Sequence, residues 1–230
     1  MIQGKEEFLA HVSRCLGRSD VPPAPTPFTL PHDVQYRTLA DASAVELAEI
    51  FTRNAEANGT VVKRCAGPGG LADTIEEALR ELGAERLVLA HEEYFVAHGI
   101  VEALTERFPE SWLWESARGR DANITAAERA DAGVSLAVRG MAESGTTLLL
   151  GQGGEGRSVS LLPRYSVIVL RIRDIRPRLT QGMEYLRELG GALPANAVFI
   201  SGASSTADIE LVPVKGVHGP LKLVYVLVEA

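Results

Sequence analysis

At 230 residues, 46% hydrophobic and 23% charged, the chain is long enough for one sizeable α/β core and has an ordinary globular composition. Its net charge of −7, from 23 Lys plus Arg against 30 Asp plus Glu, argues against a nucleic-acid binder, which needs a basic stripe. No run approaches the roughly 20 apolar residues of a membrane span. The N-terminus lacks the apolar core and cleavage site of a signal peptide, so the expected location is cytoplasmic.

In chain order, the first pattern is helical. Phe8, Leu9, Val12, Cys15 and Leu16 share one face across residues 6–16, and Gly17 ends the run. Pro22, Pro23, Pro25 and Pro27 follow, with Pro31 soon after. Repeated proline enforces extended backbone, so residues 1–35 read as a helix on a stiff connector and residues 36–230 as the main domain. The apolar face of that helix covers either its own core or a partner protein.

From residue 40 the pattern alternates. Asp41 or Ser43 caps a helix running through Ala57 and stopped by Gly59. Next come a strand over 60–63, a helix over 73–82 ended by Gly83, and a strand over 86–90. A helix over 93–107 halts before Pro109, a short strand covers 112–114, and Thr125 caps one more turn reaching Asp131. Strands then dominate, at 136–142, 146–150, 166–170, 197–200 and 221–228, with one helix over 179–189. This rhythm predicts an α/β fold with a mostly parallel sheet flanked by helices.

Cys15 and Cys65 lie far apart without a CxxC, which makes neither a disulfide scaffold nor a self-sufficient metal or iron–sulfur site; no metal is assigned. His11, His32, His91 and His98 show no mutual ligand spacing. Arg171, Arg173, Arg176 and Arg178, with Asp174 among them, form the densest basic cluster. Without interleaved aromatics it reads as a solvated loop.

Chemistry gathers in the loops. Met141-Ala142-Glu143-Ser144-Gly145-Thr146-Thr147 reads either as a decorated hairpin turn or as a ligand loop. In the second reading Glu143 is a base or carboxylate nucleophile, beside Ser144, Gly145 and Thr146. Gly151-Gln152-Gly153-Gly154-Glu155-Gly156-Arg157-Ser158 approaches P-loop spacing, but Pro163 cuts short the helix a P-loop must open and Glu155 opposes phosphate. It stays open as an anion-binding loop, through Gly153, Gly154 and Arg157, or a plain connection. Gly67-Pro68-Gly69-Gly70 lacks the dinucleotide fingerprint.

The densest signal is C-terminal. Ser201-Gly202-Ala203-Ser204-Ser205-Thr206-Ala207-Asp208-Ile209-Glu210 is followed by Gly216-Val217-His218-Gly219-Pro220, between two strands. A buried sheet does not need such chemistry at its edge, and strand-end loops are where α/β proteins place ligand groups. Ser201, Gly202, Ser204, Thr206, Asp208, Glu210 and Gly219 are the candidate contacts. His218 either exchanges a proton with a ligand or only hydrogen-bonds a loop. Asp208 and Glu210, two apart, face opposite ways on a strand and are not a catalytic carboxylate pair.

Both C-terminal blocks, in this order and spacing, resemble the LUD-domain family, and within it the lactate utilization protein C (LutC/YkgG) family. So do the Ala142-Glu143-Ser144-Gly145-Thr146 turn, Leu161-Leu162-Pro163 and the N-terminal helix with its proline linker. Ala203 stands where many members have proline, and Ser205 where several have arginine, so the resemblance carries no cation into that loop.

The resemblance implies a ribose-5-phosphate isomerase/CoA transferase-like (NagB/RpiA/CoA transferase-like) fold with ligand loops at one end. It also implies a part in bacterial L-lactate oxidation to pyruvate, with iron–sulfur subunits as partners and this chain the component that binds no cofactor of its own. A small carboxylate or phosphate is the expected ligand. Two alternatives stand beside it: a stand-alone enzyme on a small phosphorylated or carboxylated metabolite, and a non-catalytic scaffold or sensor.

Overall fold

A computed structural model describes residues 4–21, 23, 32–151, 156–192, 194–208, 212 and 214–229. The chain divides into two compact units, residues 1–34 and 35–230. The first holds helix α1 (Lys5–Cys15), with Glu6 and Glu7 in its first turn and Arg14 in its last, each placed favourably against the helix dipole. A single turn, α2 (Val34–Arg37), lies at the division.

The second unit continues with α3 (Ala44–Ala57). Ser43 caps it as the sequence predicts: its hydroxyl accepts from the Glu46 N–H at 3.3 Å, and its own N–H donates to the Glu46 carboxylate at 2.8 Å. Strand β1 (Val61–Cys65), helix α4 (Leu71–Leu82) and strand β2 (Leu87–Leu89) follow.

The single helix expected over 93–107 is two, α5 (Glu93–Ala97) and α6 (Ile100–Arg107). Gly99 between them takes the left-handed φ of 66°, which breaks the helical repeat. After β3 (Ser111–Leu113), α7 (Arg120–Arg129) starts well before Thr125. Buried Asn123 fixes its first turn: the amide donates to the Glu115 and Gly119 carbonyls and accepts from the Trp112 indole N–H.

The strand expected over 136–142 is also two. At Val138 the chain leaves β4 (Ala132–Ala137) for β5 (Arg139–Met141), in a different sheet. The remaining elements are β6 (Thr146–Gly151), α8 (Arg157–Leu161), β7 (Tyr165–Arg171), β8 (Ile175–Arg176), α9 (Leu179–Glu188), β9 (Asn196–Ile200), β10 (Ser205–Thr206), β11 (Val214–Lys215) and β12 (Lys222–Val228).

The central sheet runs β1-β12-β7-β4-β2-β3 with every neighbouring pair parallel, as the β-α-β rhythm requires. A second sheet, β8-β5-β6-β9, is built on the antiparallel β5–β6 hairpin. Side chains alternate across the central strands. Val224, Val226, Val228, Val167 and Val169 pack with Leu71, Ile75 and Leu79 of α4, while Leu223, Tyr225, Leu227, Ile168 and Leu170 join Phe51 of α3 and Leu149 of β6. No helix among the described residues is long and apolar enough to cross a membrane.

The arginine cluster is not the solvated loop expected from sequence. Asp174 is buried, and it accepts from Arg171 Nε at 2.5 Å and Arg139 Nη1 at 3.2 Å. A buried carboxylate persists only when paired in this way. Arg139 also lies 4.0 Å over the Tyr185 ring, and Arg178 pairs with Glu143, so side chains distant in sequence turn the cluster inward.

Candidate functional site

Registration of the central strands creates a hollow. Gly133, Ser166 and Leu223 occupy one rung across β4, β7 and β12. Gly133 lets α8 rest on the sheet, since a Cβ there would stand 1.8 Å from the Val159 carbonyl oxygen. Beside it, the small Ser166 side chain fills little of the space beneath Ser160 and Leu161. The result is a cavity of about 280 Å³ at the amino ends of β7 and β12, walled by Val198–Ile200 of β9 and the loop over 201–205, with His218, Gly219 and Pro220 on the far side.

Long-range contacts hold these walls. The Tyr225 hydroxyl, whose pKa burial pushes well up, donates to the Ile200 carbonyl at 2.9 Å and accepts from Thr147 at 3.4 Å, tying β9 to the central sheet. The Ser204 N–H donates to the Pro220 carbonyl at 3.0 Å, and the Gly216 N–H to the Ser204 carbonyl at 2.9 Å. Gly219 permits the close approach: a Cβ would sit 3.2 Å from that of Ser204.

Hydroxyls converge on the cavity. Ser166 is 1% exposed, and its Oγ has no hydrogen-bond partner among the described residues. Ser160, 2% exposed, donates to the Arg157 carbonyl at 3.3 Å. Ser204 Oγ and the exposed His218 imidazole make no hydrogen bond among the described residues. Among the described residues, none of those lining the cavity is Lys, Arg, Asp or Glu.

Of the residues singled out from sequence, Ser201, Gly202, Ser204, His218 and Gly219 line this one cavity. Ser144, Gly145 and Thr146 instead form a turn against α3. Asn54 Nδ2 donates to the Ala142 and Glu143 carbonyls at 2.8 and 3.0 Å, and Asn58 Nδ2 to the Ser144 carbonyl at 3.0 Å. Ser144 and Thr146 hydroxyls pair at 2.7 Å, and Glu143 Oε2 accepts from Arg178 Nε at 2.6 Å. Asn58 also donates to Ser201 Oγ at 3.2 Å, so one helix face joins this turn to the cavity loop.

Thr206 lies in β10, where its hydroxyl accepts from the exposed Asp208 N–H; Arg157 is exposed at the start of α8. Gly153, Gly154 and Glu210 lie outside the described residues. Sequence reasoning did not find Ser160 and Ser166. A serine inside an apolar strand or short helix was the available signal, and it acquires meaning only once the rung with Gly133 is known.

A wider hollow, about 830 Å³, lies elsewhere on the second unit over Trp112. Its charged groups, Arg86, Glu110, Asp121 and Arg129, are exposed and of mixed sign, which describes a solvated surface groove rather than a formed site.

Residues 48–228 match the family described as LUD domain. The chain is 36% identical over 235 residues to a lactate utilization protein C of Shouchella clausii (strain KSM-K16), covering 100% of this chain and 99% of that one. A lactate utilization protein C of Bacillus subtilis (strain 168) is 32% identical, with 99% and 97% covered, and the uncharacterized protein YkgG of Escherichia coli (strain K12) is 34% identical, with 99% of each covered. Among solved structures, a DUF162 family protein from Deinococcus radiodurans superposes with a TM-score of 0.58 at 19% identity, over 81% of this chain and 98% of that one; this likeness bears on the fold alone. On the extent of the domain match and these end-to-end relatives, the chain belongs to the LUD-domain family.

Proposed function

We propose that this chain is a component of a cytoplasmic L-lactate utilization system, oxidising lactate to pyruvate with iron–sulfur partner subunits and carrying no cluster of its own. The observation that carries this reading is the end-to-end likeness to proteins named lactate utilization protein C. Cysteine arithmetic supports the division of labour: two cysteines cannot supply the four thiolates of an ordinary cluster. The serine-lined cavity supports ligand handling over a purely passive scaffold.

Within this reading His218 is the group placed to exchange a proton with a cavity ligand, and Ser201, Gly202, Ser204 and Gly219 shape the wall. Glu143, paired with Arg178, orders the turn joined to that wall.

The test is lactate-dependent dye reduction by the iron–sulfur partner subunits, co-expressed with and without this chain. Loss of activity on omission, restored by the purified chain, is the expected result. Full activity in its absence would sink the reading and favour a stand-alone enzyme.

A further inference from the structure

We propose that the cavity at the amino ends of β7 and β12 binds a short hydroxy or oxo monocarboxylate, anchored by the Ser166 hydroxyl. The choice of ligand class deepens the lactate-utilization reading and rests on it; the anchor rests on geometry.

Ser166 Oγ is a buried donor and acceptor without a partner among the described residues, and such a group costs free energy in an apolar setting. It lies near the amino end of β7, flanked in register by Gly133 and Leu223, so every neighbour on its rung is apolar. The residue lines the cavity. Ser204 and His218 face the same space from two other loops. Three groups on separate segments, each able to donate, therefore surround one volume.

The charge of the lining selects among ligands. A phosphate ester brings about two negative charges at neutral pH, and its sites recruit cations or helix termini. With no Lys or Arg among its described lining residues, this cavity suits at most one carboxylate, held by hydroxyl and imidazole donors. Val198, Leu161 and Leu223 supply an apolar wall for a short alkyl end. At about 30 Å³ per water the volume corresponds to roughly nine waters. A three- to six-carbon acid fits, with solvent remaining.

Calorimetry on the purified full chain, with L-lactate, pyruvate and inorganic phosphate as probes, tests the proposal. At least one of the two acids binds, and phosphate does not compete. Ser166→Ala weakens acid binding about tenfold or more, the usual scale for removing a hydrogen bond to a charged ligand group. Because it deletes an unpartnered hydroxyl, it leaves the melting temperature unchanged or higher.

Ser135→Ala is the control. Ser135 Oγ is equally buried and unpartnered, in β4, but outside the cavity lining, and its loss leaves binding intact. Tighter binding of phosphate than of either acid, no acid binding at tens of millimolar, or wild-type affinity in Ser166→Ala would each overturn the proposal. Those outcomes are separable from the dye-reduction test, which reads whether the chain is needed and not what it binds.

Discussion

The turn over residues 142–146 and the loop over 201–205 draw on the same residue types, small, hydroxylated and glycine-bearing, yet beyond Ser201, whose hydroxyl pairs with Asn58 and the Ser144 carbonyl, they put their side chains to different uses. In the turn nearly everything is paired within the protein: two carbonyls to Asn54, one to Asn58, a serine to a threonine, and a carboxylate to Arg178. In the loop, Ser204 faces a cavity floored by unpartnered Ser166 and bordered by His218. Motif chemistry alone does not separate a structural clasp from a ligand site. The pairing state of each polar atom does.

Disrupting the clasp has the largest expected effect. Gly145 holds φ at 59°, and a Cβ there would lie 2.4 Å from the Ala55 nitrogen and 2.7 Å from its Cα, both backbone atoms of α3. Gly145→Ala therefore combines left-handed strain with a collision that no rotamer relieves. A loss on the order of 3–5 kcal/mol is expected, seen as a melting temperature lower by roughly 10 °C. A variant that melts like the wild type would show that the turn is not clamped on α3 and would dissolve the contrast.

Asn54→Ala comes next. It leaves the Ala142 and Glu143 carbonyls without their donor, a cost of about 2 kcal/mol for two partly exposed acceptors. Chemical denaturation should show a lower midpoint at unchanged slope, with acid binding in the cavity retained. Loss of binding greater than the loss of stability would instead mean that the clasp positions the cavity wall, acting through Asn58 and Ser201.

Local signals made much of this architecture legible. Ser43, one of the two caps the sequence offers, and Gly59 and Gly83 announce helix ends by mechanisms confined to a few residues, and the structure uses each. What sequence reasoning missed depends on partners far along the chain. Gly99 is tolerable inside a helix until its φ is known, and a strand over 136–142 is a fair reading until Val138 is seen to donate to Leu148 and change sheets. Arg171 and Asp174 look solvated because Arg139 is more than thirty residues away. The same holds for the site: the C-terminal loops announced themselves by composition, whereas Ser166 sits in an apolar strand and reads as filler.

The smallest expected effect is the sharpest test of the contrast, because Glu143 is the one residue in the clasp with chemistry that a catalytic site would want. Its carboxylate is 2.6 Å from Arg178 Nε and 41% exposed, and Glu143 is absent from the cavity lining. Glu143→Gln keeps the shape and a hydrogen bond to the guanidinium while removing the charge. A half-exposed pair of this kind is worth about 0–1 kcal/mol, so the stability change should be close to the error of a melt. Calorimetric binding of the acid probes should match the wild type, since neither the cavity nor Asn58 is touched. If lactate-dependent turnover in the reconstituted system nonetheless falls by more than about a hundredfold, the range typical of a lost acid or base, Glu143 does chemistry and the ion pair is a resting state. Pairing would then no longer distinguish clasp from site, and the two loops would have to be treated as halves of one active centre.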